Sequence, residues 1–176
     1  MRQARPRLRI RSNGAPTLHF LEDGMAEYAV LYFDELRVAL PLAYVERVLR
    51  AVHITPLPDA PDIVLGVVNV HGRIIPAIDM RQRFRLPERD IALTDRLVIA
   101  HTGQRAVALV ADGVSGVIES AEPEIVGGDS ILPGLEYVDG VIRLADGLVL
   151  IHNLARFLSL DEADALDRAM ATGGAP

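Results

Sequence analysis

The feature that most constrains this chain is that it carries one pattern twice. Residues 38–48, VALPLAYVERV, match residues 107–117, VALVADGVSGV, without a gap: the first three residues are identical, and valines recur at the eighth and eleventh positions. Further on, GVVNVHGRIIPAIDMRQRF (residues 66–84) answers to GVIRLADGLVLIHNLARF (residues 140–157). Each reads as strand, turn, strand and a short helix closed by Arg-Phe. Two patterns repeated in the same order predict two small β-barrels of similar topology, packed on each other. A half of about 65 residues buries too little apolar surface to be secure alone, so the interface belongs to the core and leaves a groove where the barrels meet.

Alternation of apolar residues places strands at 28–33, 37–40, 50–54, 96–100, 106–111, 117–120, 138–145 and 148–151, with a further pair flanking His71-Gly72. Asp146-Gly147 favours a type I′ turn. Leu42, Val45 and Val48, three apart, read as one or two helical turns over 42–48. Pro56, Pro58 and Pro61 fix an irregular connector before Val64, Asp112-Gly113 turns the chain, and residues 121–137 form the longest loop of the body. Asp79 and Asn153 cap short helices, while Ser159 and Glu162 make a capping box for a helix running to about Met170. The expected organisation is a largely disordered arm over 1–26 with a short strand at 18–21, a body over 27–160, and a C-terminal helix and tail over 159–176. The body divides into subdomains of roughly 27–90 and 91–158, between which a strand can exchange.

Composition removes several chemistries. The chain has no cysteine, hence no disulfide, thiolate metal site or cysteine nucleophile, and all 18 of its basic residues are arginines, so a P-loop or Schiff-base lysine is excluded. Residues 1–11 hold five arginines and no acid, whereas the rest holds 13 arginines against 24 acids, a net −11 that repels nucleic acid. The basic arm is the one place where nucleic acid or an anionic membrane would bind, against a plain solubilising tail. No apolar run approaches the roughly 18 residues of a membrane-spanning helix. Five histidines lie in separate elements without metal-ligand spacing, Ser115 in GVSG departs from GxSxG, and Gly113 and Gly116 supply only part of GxGxxG. Asp79, Asp112, Asp139 and Asp146 sit at strand ends or beside glycine, where turns and caps favour aspartate. Neither a catalytic set, a metal nor a cofactor is expected.

The hairpin GVVNVHGRIIPAIDMRQRF, with GQRAVALVADGVSGVI downstream and ITPLPDAP upstream, resembles the CheW family of chemotaxis coupling proteins over about residues 27–160. The resemblance implies a mainly β fold of two SH3-like five-stranded barrels with short helices and a C-terminal helix. It implies a non-enzymatic cytoplasmic adaptor that needs no cofactor, links chemoreceptors to the histidine kinase CheA and does not itself enter the membrane. Its partners would be the receptor's cytoplasmic hairpin tip, laid along the groove between the barrels, and the kinase's homologous regulatory domain. Val45, Arg47, Gly66, His71, Gly72 and Val117 fall at positions the resemblance assigns to the receptor. No residue is assigned to the kinase.

Two positions depart from the family pattern. The usual Asn-Leu-Arg-Gly is here Asn69-Val70-His71-Gly72, an imidazole in place of a guanidinium, and Arg47 stands where glutamate is common. Plain readings stand beside these: core packing for the valines, turn geometry for the glycines, an exposed turn for His71. An adaptor of a non-flagellar chemosensory pathway is the nearest rival. A small β-barrel enzyme is a further one, which would need His71, Asp79 and Asp112 to converge.

Overall fold

A computed structural model describes residues 25–120 and 137–173. The possible strand at 18–21, the basic arm and nearly all of the 121–137 loop lie outside those residues. Ten strands are described: β1 Ala26–Phe33, β2 Leu36–Pro41, β3 Val45–Arg50, β4 Val64–Val70, β5 Arg73–Asp79, β6 Arg96–His101, β7 Ala106–Ala111, β8 Gly113–Ser120, β9 Val138–Leu144 and β10 Gly147–His152. A four-residue helix α1 (Met80–Arg83) follows β5, and α2 (Leu160–Gly173) ends the described chain.

The strands form two five-stranded sheets, in the orders β8-β1-β2-β10-β9 and β3-β6-β7-β5-β4. Replacing β1–β5 by β6–β10, and the reverse, turns one order into the other. The internal repeat is therefore an architectural pseudo-twofold, and it extends to register. β3 pairs Val45 with Ala100 and Arg47 with Ile99, skipping Glu46, while β8 pairs Val114 with Leu31 and Gly116 with Val30, skipping Ser115. The same bulge, an extra residue in one strand, sits at repeat-equivalent sites.

Sheet membership does not follow a cut near residue 90. The second sheet is continuous in sequence from Val45 to Ala111, whereas the first is assembled from the flanks, β1 and β2 with β8, β9 and β10. The chain crosses between sheets at Leu42–Tyr44 and again at Asp112.

Because the central strands are covered on both faces, successive residues enter different cores. In β1, Ala29, Leu31 and Phe33 face a large cluster between the sheets together with Val98, Ala100, Val107 and Leu109, whereas Tyr28 and Val30 face the first sheet's own interior. In β6, Leu97 and Ile99 enter the second sheet's interior with Val68, Ile75 and Val110. The interface between the barrels is thus the largest core, as the small size of each half requires.

Four local expectations are corrected. Asn153 caps only a turn, and no helix follows it before α2. Of residues 42–48 only Leu42–Tyr44 is helical, as one 3-10 turn, and Val45 already begins β3. The bulge at Glu46 adds a residue to the alternation and makes a strand imitate the three-residue spacing of a helix. The strand expected at 50–54 ends at Arg50, beyond which only Thr55 bridges to Val67. Type I′ geometry occurs at His71-Gly72, with φ of 51° and 84°, and not at Asp146-Gly147, where Gly147 alone has positive φ.

Candidate functional site

A charged rim forms where β3 meets the tip of the β4–β5 hairpin. The two-residue turn forces positive φ on His71 and Gly72, and Asn69 Oδ1 secures it by accepting from the Gly72 amide at 2.8 Å. This delivers His71 to Arg47, whose Nη1 lies 3.1 Å from His71 Nδ1; a guanidinium can only donate, so that ring nitrogen accepts. Beside them Glu46 takes Arg73 Nη1 at 3.1 Å on both oxygens, Arg47 Nε at 3.4 Å and His101 Nε2 at 3.1 Å. The Arg73 hydrogen bond, helped by His101 and Arg47 against slight desolvation, holds the Glu46 carboxyl below its usual range. One carboxylate faces two guanidiniums and the His101 imidazole, with His71 behind Arg47, on a body whose net charge is strongly negative.

The six expected site residues do not form one patch. Arg47, His71 and Gly72 come together at this rim. Val45 begins the same strand but is half-buried and packs on the inter-sheet core. Gly66 is buried, and at φ 145° a Cβ there would lie 2.1 Å from the Thr55 carbonyl oxygen; its absence lets the proline connector cross β4, with the Thr55 and Val67 amides and carbonyls paired at 2.8 and 2.9 Å. Gly72 meets no such obstacle, and its φ alone calls for glycine. Val117 lies in β8 on the first sheet and is half-exposed.

Sequence reasoning passed over Glu46, Arg73 and His101, which come from three separate elements. It also passed over Val48, the repeat counterpart of Val117 and likewise exposed, and a second such pair, Ile74 and Leu148. The repeat itself carried the missing signal. Rim positions Glu46, Arg47, His71 and Arg73 correspond to Ser115, Gly116, Ala145 and Gly147, and charge present in only one of two equivalent sites marks a place to look.

A second polar cluster lies where the chain crosses between sheets. Arg81 donates to Asp112 at 2.8 Å, to Asp34 at 2.5 Å and to the Pro87 carbonyl at 3.0 Å, and Arg89 joins Asp112 at 2.5 Å and Asp95 at 2.8 Å. Burial pushes the Asp112 carboxyl up, but the Asp34 amide and both guanidiniums outweigh it and hold the group below the carboxylate range. These pairs lock Asp112 into structure, and Asp79 is occupied capping α1 through the Arg81 and Gln82 amides. His71, Asp79 and Asp112 therefore make no shared hydrogen bond of the kind the enzyme reading requires. Among the described residues no three His, Cys, Asp or Glu side chains gather as metal ligands, and no helix is long and apolar enough to cross a membrane.

The family model for the CheW-like domain matches residues 27–162. The chain belongs to the CheW family. Among CheW-family relatives, Protein FrzA of Myxococcus xanthus is 32% identical over 149 residues, covering 82% of this chain and 90% of FrzA. Chemotaxis protein CheW of Klebsiella aerogenes is 24% identical over 143 residues, covering 80% and 86%. The crystal structure of the scaffolding protein TtCheW from Thermoanaerobacter tengcongensis superposes with a TM-score of 0.71 at 25% identity, covering 78% of this chain and 94% of that one. The two five-stranded sheets are thus the two barrels of the CheW fold.

Proposed function

We propose that this chain is a CheW-type adaptor in chemotaxis signal transduction, non-enzymatic and cytoplasmic, that holds a chemoreceptor tip and the regulatory domain of a CheA-type histidine kinase together. The observation that carries the reading is the family match across 27–162, which spans nearly the whole described body. The receptor contact is the rim of Arg47, His71 and Gly72, with Gly66 supporting the hairpin from behind; Val45 begins the rim strand from the inter-sheet core, and Val117 offers a separate apolar contact on the first sheet. The pairing of Arg47 with His71 gives the two departures from the family pattern a joint meaning: the guanidinium expected at the turn is supplied from the neighbouring strand.

A pull-down from native lysate tests the adaptor reading, with a CheA-type kinase expected among the recovered proteins and its absence counting against it. A purified receptor-tip fragment, titrated at pH 6 and pH 8 against the parent, His71→Arg and His71→Ala, tests the rim; indifference in every comparison would remove His71 from the contact. The relative at 32% identity is named FrzA and not CheW, and that is compatible with a second reading, an adaptor serving a pathway with a non-flagellar output. The identity of the recovered kinase and its neighbouring genes separates the two.

A further inference from the structure

The pseudo-twofold has a topological consequence. Let the first half run from β1 to α1 and the second from β6 to α2. Four of the eight strand pairings then lie within a half (β1·β2, β4·β5, β6·β7, β9·β10) and four join the halves (β1·β8, β2·β10, β3·β6, β5·β7). The large inter-sheet core is divided likewise, with Leu31, Phe33, Leu40 and Ile78 from one half against Val98, Leu109, Leu154 and Phe157 from the other. Neither half owns a complete sheet. Everything that binds one half to the other is a surface that a second copy of the chain presents in identical form.

One covalent path, residues 85–95, connects the halves. Fully extended it reaches about 35 Å. In the closed chain it is folded back and fastened: Arg89 bridges Asp95 at 2.8 Å within the segment itself, Asp95 Oδ2 accepts from the Ala92 amide at 2.8 Å, and Arg81 Nε donates to the Pro87 carbonyl at 3.0 Å. Asp95 is buried, although loop carboxylates ordinarily face water. Arg81–Asp112 joins the two halves and would re-form between chains; Arg89, paired with Asp95 inside the connector and with Asp112 of the second half at 2.5 Å, fastens the folded connector and lets go when it straightens.

We propose that this chain can assemble as a domain-swapped dimer in which the first half of one copy completes both sheets with the second half of another, and that the Arg89–Asp95 clamp holds the connector in the closed, monomeric form. Because both forms contain the same strand pairs and core, their balance is set by connector conformation and protein concentration. The exchanged dimer would carry two charged rims on one particle, a bivalent form of whatever the single rim binds.

Glu27 and Glu119 face each other across β1·β8, one from each half, and the chain has no cysteine of its own. A Glu27→Cys/Glu119→Cys pair forms its disulfide within one chain in the closed monomer and in any dimer of closed monomers, but between chains in the exchanged dimer. The protein is refolded from denaturant over a range of concentrations, oxidised, and analysed by size exclusion and non-reducing electrophoresis. Adding Arg89→Ala is expected to raise the dimer fraction several-fold, with the dimer covalently linked. An unchanged dimer fraction, or a dimer whose disulfides stay within single chains, overturns the proposal. Should Arg89→Ala fail to fold, the cysteine pair alone decides: linked dimer increasing with refolding concentration supports exchange, and intrachain disulfide at every concentration refutes it.

Discussion

The two halves of this molecule share strand order, register and bulge positions, and differ in what those positions carry. At the rim of the second sheet the chain places Glu46, Arg47, His71 and Arg73; at the equivalent rim of the first it places Ser115, Gly116, Ala145 and Gly147. In the core the difference runs the other way: the position filled by Ile78 in the first half is filled in the second by His152. Duplication sets the backbone, and the side chains show which copy was specialised. A charged rim on one barrel and a small-residue rim on the other let one fold present two unlike faces, a property suited to the adaptor role proposed above.

The largest expected effect tests how strictly the hairpin backbone depends on glycine. Gly66→Ala sets a Cβ against the Thr55 carbonyl at positive φ and should destabilise by about 3–5 kcal/mol, overpacking added to backbone strain. Gly72→Ala, with open space around it, should cost only about 1 kcal/mol. Chemical denaturation measures both, and equal costs would mean that the connector does not depend on Gly66.

His152 sharpens the contrast with Ile78. Burial, with the nearby Arg83 charge and against the Tyr137 carbonyl bond, pushes its imidazole from 6.5 down to about 4, and its Nε2 has no hydrogen-bond partner among the described residues. The folded state therefore binds fewer protons than the unfolded. Stability is full above pH 6.5 and falls as pH drops towards 4, by at most about 3 kcal/mol. His152→Ile should flatten that slope while leaving stability at pH 8 equal or higher, since the Tyr137 carbonyl still accepts from the Asn153 amide at 2.7 Å. An unaltered slope in pH-dependent unfolding would place the acid sensitivity elsewhere.

At the rims, Arg47→Glu should weaken binding of a receptor-tip fragment about tenfold, whereas Ala145→Arg, at the exposed counterpart of His71 on the other barrel, should leave it within about twofold. Equal losses by calorimetry would show that the two rims are not specialised. The smallest test concerns equivalence itself. Asp79 and Asn153 cap their turns in the same way, each accepting from the amides two and three residues on, and alanine at either should cost about 1 kcal/mol.

Much of the fold was legible because alternation and repetition are written locally. The strands, the capping box of Ser159 and Glu162, with its two reciprocal bonds at 2.8 and 3.2 Å, and the caps at Asp79 and Asn153 all rest on neighbours within a few residues. The β3 strand was hidden because a bulge breaks the very period used to read it. Sheet membership was hidden because β1 finds its partners in β2 and β8, one next door and one some eighty residues on. Of the site, the turn at His71 could be read locally, whereas Glu46 and Arg73 stand out only in the comparison of the two repeats and His101 not at all. Their meeting depends on barrel closure, which no local pattern encodes.

The split membership of the first sheet also bears on how the chain emerges from the ribosome. The second sheet can close once Ala111 is clear, but β1 and β2, made first, wait for β8 and β10, which end with His152. At about 5–20 residues per second, that interval is roughly 2–8 s. Throughout it Leu31, Phe33, Val38 and Leu40 have only part of their final surroundings, so the oldest strands of the nascent chain are the last to be sheltered.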